Sequence, residues 1–220
     1  MADLPFDLPV PLADRLRVVA DIEGKIVRAL DALGPMSGRD AALLAIPEGP
    51  LRDRLLATGL RARDVPTIAP LQLALPQESV DVVVAMWDGF DGVRRTDLDE
   101  ADRVLRPGGR LLVVHDYGRD EVSSLADAAG PQYREWSHPR GPFLRGGGFK
   151  IRVVHCFWTF PSIEDARAFL GEAFGDRGEA VGAAMKRPRL SWNVAVYHRW
   201  RGGIPPEGAP DQDEDEALPA

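Results

Sequence analysis

Apolar residues recur every three or four positions from Leu12 to Leu33, at Leu12, Leu16, Val19, Ile22, Ile26, Leu30 and Leu33. That spacing predicts one amphipathic helix, stopped by Gly34-Pro35. The period then changes. Asp40 to Ile46 is a short apolar run and reads as a buried strand. Pro47-Glu48-Gly49-Pro50 is a turn, and Leu51 to Thr58 is a short helix with Gly59 as its C-cap. Strand, tight turn, helix is the opening of a doubly wound fold. Val65 to Ile68 reads as one short strand weakened by Pro66, and Val80 to Met86 as a central strand.

The stretch from Arg103 to Gly118 carries the strongest pattern. A helix whose apolar residues are Leu98, Ala101, Val104 and Leu105 runs into Pro107-Gly108-Gly109. Proline stops the helix and glycine reaches positive φ at no steric cost. Arg110 to His115 then carries a continuous apolar run, LLVV, in its middle, as in a strand buried on both faces. Ligands of parallel α/β sheets sit at the carboxyl ends of strands, so His115, Asp116 and Tyr117 point to where chemistry is expected. Further on, Asp120 to Ala129 reads as a short helix and Phe149 to Phe160 as a strand. A helix starts at Pro161-Ser162, and Ser191 to Trp200 reads as a final strand. The long segment Gly130 to Gly148 between them is rich in glycine and proline, and its Gly146-Gly147-Gly148 reads as a hinge. Two late strands joined by a helix suit an antiparallel edge.

The expected fold is α/β: a doubly wound, mostly parallel sheet with helices on both faces and an antiparallel C-terminal edge. Residues 1–39 form a helical extension, 40–200 the domain, and 201–220 an acidic tail expected to be disordered. Six acids lie in that tail (Glu207, Asp211, Asp213, Glu214, Asp215 and Glu216), and without them the net charge of −7 falls to −1. A near-neutral body does not mark a nucleic-acid or membrane binder. The single cysteine, Cys156, excludes an internal disulfide and fits a reducing compartment. With no secretory signal and no membrane-length apolar run, a cytoplasmic protein is expected. The four histidines and Cys156 show no metal-ligand spacing, and no metal is expected.

The chain from Asp40 to Arg199 resembles the class I methyltransferases that use S-adenosylmethionine, close to the type 11 group. Leu75 to Val84 (LPQESVDVVV) resembles the approach to that family's fourth strand, and Asp99 to Gly118 its helix, Pro-Gly-Gly turn and fifth strand. The resemblance implies methyl transfer from S-adenosylmethionine to a small-molecule acceptor. It places the cofactor against Pro47, Glu48, Gly49, Met86, Trp87 and Asp88. Asp116, Tyr117 and His138 are the candidates for orienting an acceptor or moving its proton. Two departures go with it. Ala45 stands where the family has an acid, and Pro47 and Leu51 stand at two of three glycine positions. The stretch from Leu60 to Ser79 has room for about one strand, where the family fits strand, helix and strand. A non-catalytic protein on the same fold, binding a ligand or partner without the cofactor, is the alternative.

Overall fold

The computed structural model describes residues 4–66, 70–87, 90, 94–126 and 136–205. Its centre is a sheet of six strands: β1 (Asp40–Leu44), β2 (Arg61–Val65), β3 (Val80–Met86), β4 (Leu105–Asp116), β5 (Lys150–Thr159) and β6 (Arg189–Trp200). Their order is β2-β1-β3-β4-β6-β5. The first four strands pair in parallel, and β6 runs antiparallel to both β4 and β5. The expected doubly wound sheet with an antiparallel edge is what the chain forms.

Strict alternation along the strands builds two cores. Ala41, Leu43, Val82, Val84, Leu112, Val114, Trp192 and Val194 face one side. There they meet α1 (Val10–Val19), α2 (Lys25–Leu33), α3 (Pro50–Ala57) and α5 (Ile163–Ala184). Ala42, Leu44, Val83, Ala85, Leu111, Val113 and Tyr197 face the other, against α4 (Arg95–Val104) and the ring of Phe143. The central strands are apolar on both faces because both faces are covered.

The single helix expected over Leu12–Leu33 is two. Ala20 bridges to Trp158, and the Asp21 N–H donates to the Phe157 carbonyl at 3.0 Å. Asp21 sits at φ 44° and its carboxylate accepts the N–H groups of Lys25 and Ile26, both at 2.9 Å, capping α2. Both helices face the same core, so the apolar spacing runs on across the break. Ile22, counted into that spacing, is 49% exposed.

The second strand also differs. It is Arg61–Val65, ending where the expected Val65–Ile68 strand was to begin; Thr67 and Ile68 lie outside the described residues. On this side the described sheet ends at β2, so the shortening expected between the first helix and the family's fourth strand is present. In place of further strand pairing, α4 holds the connecting chain with side chains. Asp97 accepts the Leu71 N–H at 3.0 Å and Glu100 the Leu73 N–H at 2.7 Å, while Arg103 donates to the carbonyls of Leu73 and Leu75 at 3.0 and 2.9 Å. Acid, acid, arginine at intervals of three lie on one helix face and supply the partners a neighbouring strand would.

The expected Pro-Gly-Gly turn is present as an interruption in β4. Val80 pairs with Leu105 and Val82 with Arg110, so residues 106–109 loop out. Arg106 pins the loop by donating to Asp40 and Asp81, each at 2.9 Å, and to the Ser79 carbonyl at 3.0 Å.

Two late segments are more ordered than their composition suggested. Within the long segment, Pro142–Gly146 forms a π-helical turn that buries Phe143, stacked on Tyr197 at 4.2 Å and 15°. A side chain at Gly147, expected as part of a hinge, would strike the Phe149 ring at 2.6 Å, and its carbonyl accepts from Arg199 at 2.7 Å. The helix expected from Asp120 to Ala129 is a 3-10 turn, Val122–Leu125, in its described part. Helix α5 begins at the Ser162 cap, which accepts the Asp165 N–H, and bends sharply at Gly175 (φ 55°, ψ −136°). Its second half folds back so closely that a Cβ on Gly178 would lie 1.8 Å from the Leu170 carbonyl oxygen. Arg201–Gly203 closes the described chain in one 3-10 turn, where the Gly202 N–H donates to Asp102 at 3.0 Å. Residues 206–220, most of the expected tail, lie outside the described residues.

Candidate functional site

In this sheet β1 connects outward to β2, and β3 connects to β4 in the opposite direction. The carboxyl ends of β1 and β3 therefore flank the switch point where such sheets hold ligands. The turn after β1 starts at Ala45, at φ 51°, whose N–H donates to the Val65 carbonyl at 3.0 Å. Pro47 and Gly49 are half-buried and Glu48 is exposed. Gly49 is the N-cap of α3 at φ 150° and ψ 178°, a region that only glycine occupies readily. As a glycine, this N-cap residue brings no side chain to the helix start. The position of a missing Cβ on Gly49 lies 3.3 Å from Cδ of Arg17, which reaches over from α1. The Arg17 guanidinium donates to Asp14 at 2.6 Å.

Asp64 stands one residue before the end of β2, in register with Leu43 of β1. The strand expected over Val65–Ile68 would begin one residue after it. Its carboxylate receives Arg52 of α3 at 2.6 Å and is 61% exposed. A carboxylate thus stands near the carboxyl end of the second strand after all. The expected strand began four residues and ended three residues too far along the chain, so it left Asp64 out.

Met86 and Trp87 are buried at the end of β3. Alternation would send them to opposite faces, yet both pack into the same core. The cause is the Trp87 backbone at φ 38°, a costly conformation for a bulky residue. Asp88 lies outside the described residues. The Trp87 ring stacks on Trp192 of β6 at 5.8 Å and 12°. Trp192 donates its indole N–H to Asp116 at 2.8 Å. Asp116 is 9% exposed, and burial pushes its carboxyl up to about 7, helped by the nearby Asp120 and opposed by the two indoles. Asp120 is raised too, mainly by burial, while its oxygens accept the N–H groups of Asn193 and Ser123, each at 2.7 Å.

The three proton-transfer candidates are not brought together. Asp116 faces the core with Trp87 and Trp192. Tyr117 turns to the other face, packs against that core, and its hydroxyl accepts from Arg119 at 3.1 Å. His138 is exposed in a surface turn, where its Nδ1 accepts the Arg140 N–H at 3.2 Å. His115, placed by its position among the residues near the expected chemistry, is a core histidine: it is fully buried, its Nε2 lies 2.9 Å from the Phe90 carbonyl, and Trp136 meets it edge-on at 4.7 Å. His155 and Cys156 face opposite sides of β5, and among the described residues no three metal-binding side chains cluster. No helix of the described residues is long and apolar enough to cross a membrane.

Neither a family model nor a curated protein matches the sequence. Solved structures do match. A protein assigned as a type II methyltransferase from Anaeromyxobacter dehalogenans is 18% identical, with a TM-score of 0.51 over 91% of this chain and 100% of its own. A second, assigned as a methyltransferase from an antibiotic biosynthesis pathway of Anabaena variabilis, is 15% identical, with a TM-score of 0.51 over 83% of this chain and 98% of its own. At these identities the likeness speaks for the fold. It agrees with the strand order and with the motifs at Leu75–Val84 and Asp99–Gly118: the chain has the class I methyltransferase fold.

Proposed function

We propose that the protein is a methyltransferase that binds S-adenosylmethionine at the carboxyl ends of β1 and β3 and methylates a small-molecule acceptor. The observation that carries this reading is the turn opening α3. It keeps a glycine in a glycine-only conformation at a helix start, on the switch point of the sheet. The neighbouring residues fit the cofactor. Gly49 holds the turn in a conformation closed to other residues, Arg17, paired with Asp14, brings a cation for an amino-acid carboxylate beside it, and Asp64, paired with Arg52, brings a carboxylate for ribose hydroxyls near the strand end. The cofactor, when bound, supplies an electrophilic methyl group. The chain's own part is to position donor and acceptor, since displacement at carbon depends mainly on alignment.

Isothermal titration with S-adenosylhomocysteine tests this. Saturable binding is expected, abolished by Gly49→Val and weakened roughly tenfold by Asp64→Asn, the loss of about one hydrogen bond to a charged group. Absence of binding at millimolar ligand, in protein shown to be folded, would sink the reading.

A second reading rests on the other side chains. Pro47 removes an N–H from the turn, Leu51 adds bulk in the first turn of α3, and Met86 and Trp87 are buried away from solvent. These features favour a protein that keeps the fold and binds a ligand or partner without the cofactor. The same titration separates the two.

A further inference from the structure

Three neighbouring strands send one polar group each to a single spot at the carboxyl edge of the sheet. Trp87 directly follows β3, β4 ends in Asp116, and β6 contributes Trp192. The two indole rings lie nearly parallel, 5.8 Å apart. Their N–H groups are treated unequally. That of Trp192 is bonded to the Asp116 carboxyl at 2.8 Å. That of Trp87 is buried and has no hydrogen-bond partner among the described residues, and it still favours the ionised form of Asp116. A buried donor without a partner and a bulky residue at positive φ are both unfavourable, and such costs gather where a segment has two states.

The unequal bonding has a simple remedy. A carboxylate has two oxygens and accepts from several donors, whereas a protonated carboxyl keeps one oxygen for its own hydrogen. We propose that Asp116 and the indoles of Trp87 and Trp192 form a proton-operated latch: on ionisation the carboxylate also takes the Trp87 N–H and ties the end of β3 to β4 and β6, and on protonation that tie is released.

The surroundings leave Asp116 as the group that switches. Among the described residues the charged group acting on it is Asp120, four positions along the same chain segment, which is itself bonded to Asn193 and Ser123. From β3 and β6 the groups facing it are the two indoles. The rest of this face, from α1, α2 and α5, is the apolar core, with two further titratable groups: Cys156 of β5, whose thiol is pushed up by burial, and the buried Asp21, which caps α2. His115, next in sequence, points to the opposite face. The carboxyl is poised near 7, so the two states exchange within the ordinary working range of pH.

The test is read in the ligand-free full chain, so it stands apart from cofactor binding. The five tryptophans give five indole N–H resonances in a nitrogen-15 spectrum. Between pH 5 and pH 9 the signals of Trp87 and Trp192 should move together with one midpoint near 7, Trp87 shifting in the direction of a stronger hydrogen bond as pH rises. Asp116→Asn should flatten both. Asp120→Asn should lower the midpoint by removing a repelling carboxylate and keeps the test available if Asp116→Asn does not fold. A Trp87 signal that stays fixed while Trp192 titrates, or one that titrates unchanged in Asp116→Asn or with an unmoved midpoint in Asp120→Asn, overturns the latch.

Discussion

Glu100 and Arg103, one turn apart on α4, hold Leu73 from both sides. Glu100 accepts the Leu73 N–H at 2.7 Å, Arg103 donates to the Leu73 carbonyl at 3.0 Å, and the two side chains bond each other at 2.8 Å. The Arg103 guanidinium lowers the Glu100 carboxyl below its usual value. This pair does locally what strand pairing does elsewhere. Arg103→Ala leaves two carbonyls without their donor and should destabilise the fold by about 1–3 kcal/mol, measured by urea unfolding at pH 7. Glu100 contributes in full above the unfolded carboxyl value, and its share should fade as pH drops below the ordinary carboxylate range toward its lowered folded value.

The sign is reversed at Asp116. Its folded value, about 7, lies above that of an unfolded aspartate, so the folded state binds the extra proton between about 4 and 7. Stability should therefore fall as pH rises across that window, by an amount on the order of 4 kcal/mol at most. Asp116→Asn, which can still accept from Trp192, should remove most of that slope. It should be more stable than the parent at pH 8 and close to it at pH 5, as followed by thermal unfolding at the two pH values.

Gly178 allows the two halves of α5 to touch. A methyl group there has 1.8 Å to the Leu170 carbonyl oxygen, backbone that cannot move aside cheaply. Gly178→Ala should cost about 3 kcal/mol or more, at the upper end of overpacking, and far more than an alanine at an ordinary helical glycine, which stabilises. Chemical denaturation of the two variants Gly178→Ala and Gly171→Ala compares them directly, since the latter meets its nearest neighbour at 3.5 Å.

Gly49 separates structure from binding. Its φ of 150° is closed to other residues, and Arg17 already occupies the side a Cβ would take. Gly49→Ala should lower stability by about 1–3 kcal/mol even with no ligand present. Cutting Arg17 to alanine relieves the contact without relieving the backbone, so the double variant should recover only part of the loss in thermal unfolding.

The sequence by itself determined the sheet's centre and the class of the fold. Val82–Met86 and Leu111–Val114 are apolar at every step, which only a strand covered on both faces tolerates, and Pro107-Gly108-Gly109 marked a break in the chain that the structure places inside β4. The lack of room between Leu60 and Ser79 also followed from chain length alone. Tertiary structure decided what local pattern could not. It split Leu12–Leu33 in two, because Ala20 and Asp21 are claimed by β5. It extended α4's role to Leu71–Leu75, because side-chain partners from a distant helix leave no period in the chain they hold. It placed Asp64 near a strand end and Arg17 beside Gly49, contacts between positions 32 residues apart that no spacing rule links. It also joined Asp116 to Trp192, 76 residues later, because β6 returns antiparallel beside β4. A carboxyl's burial and partners are properties of that packing, and so its chemistry became legible only when the strands were assembled.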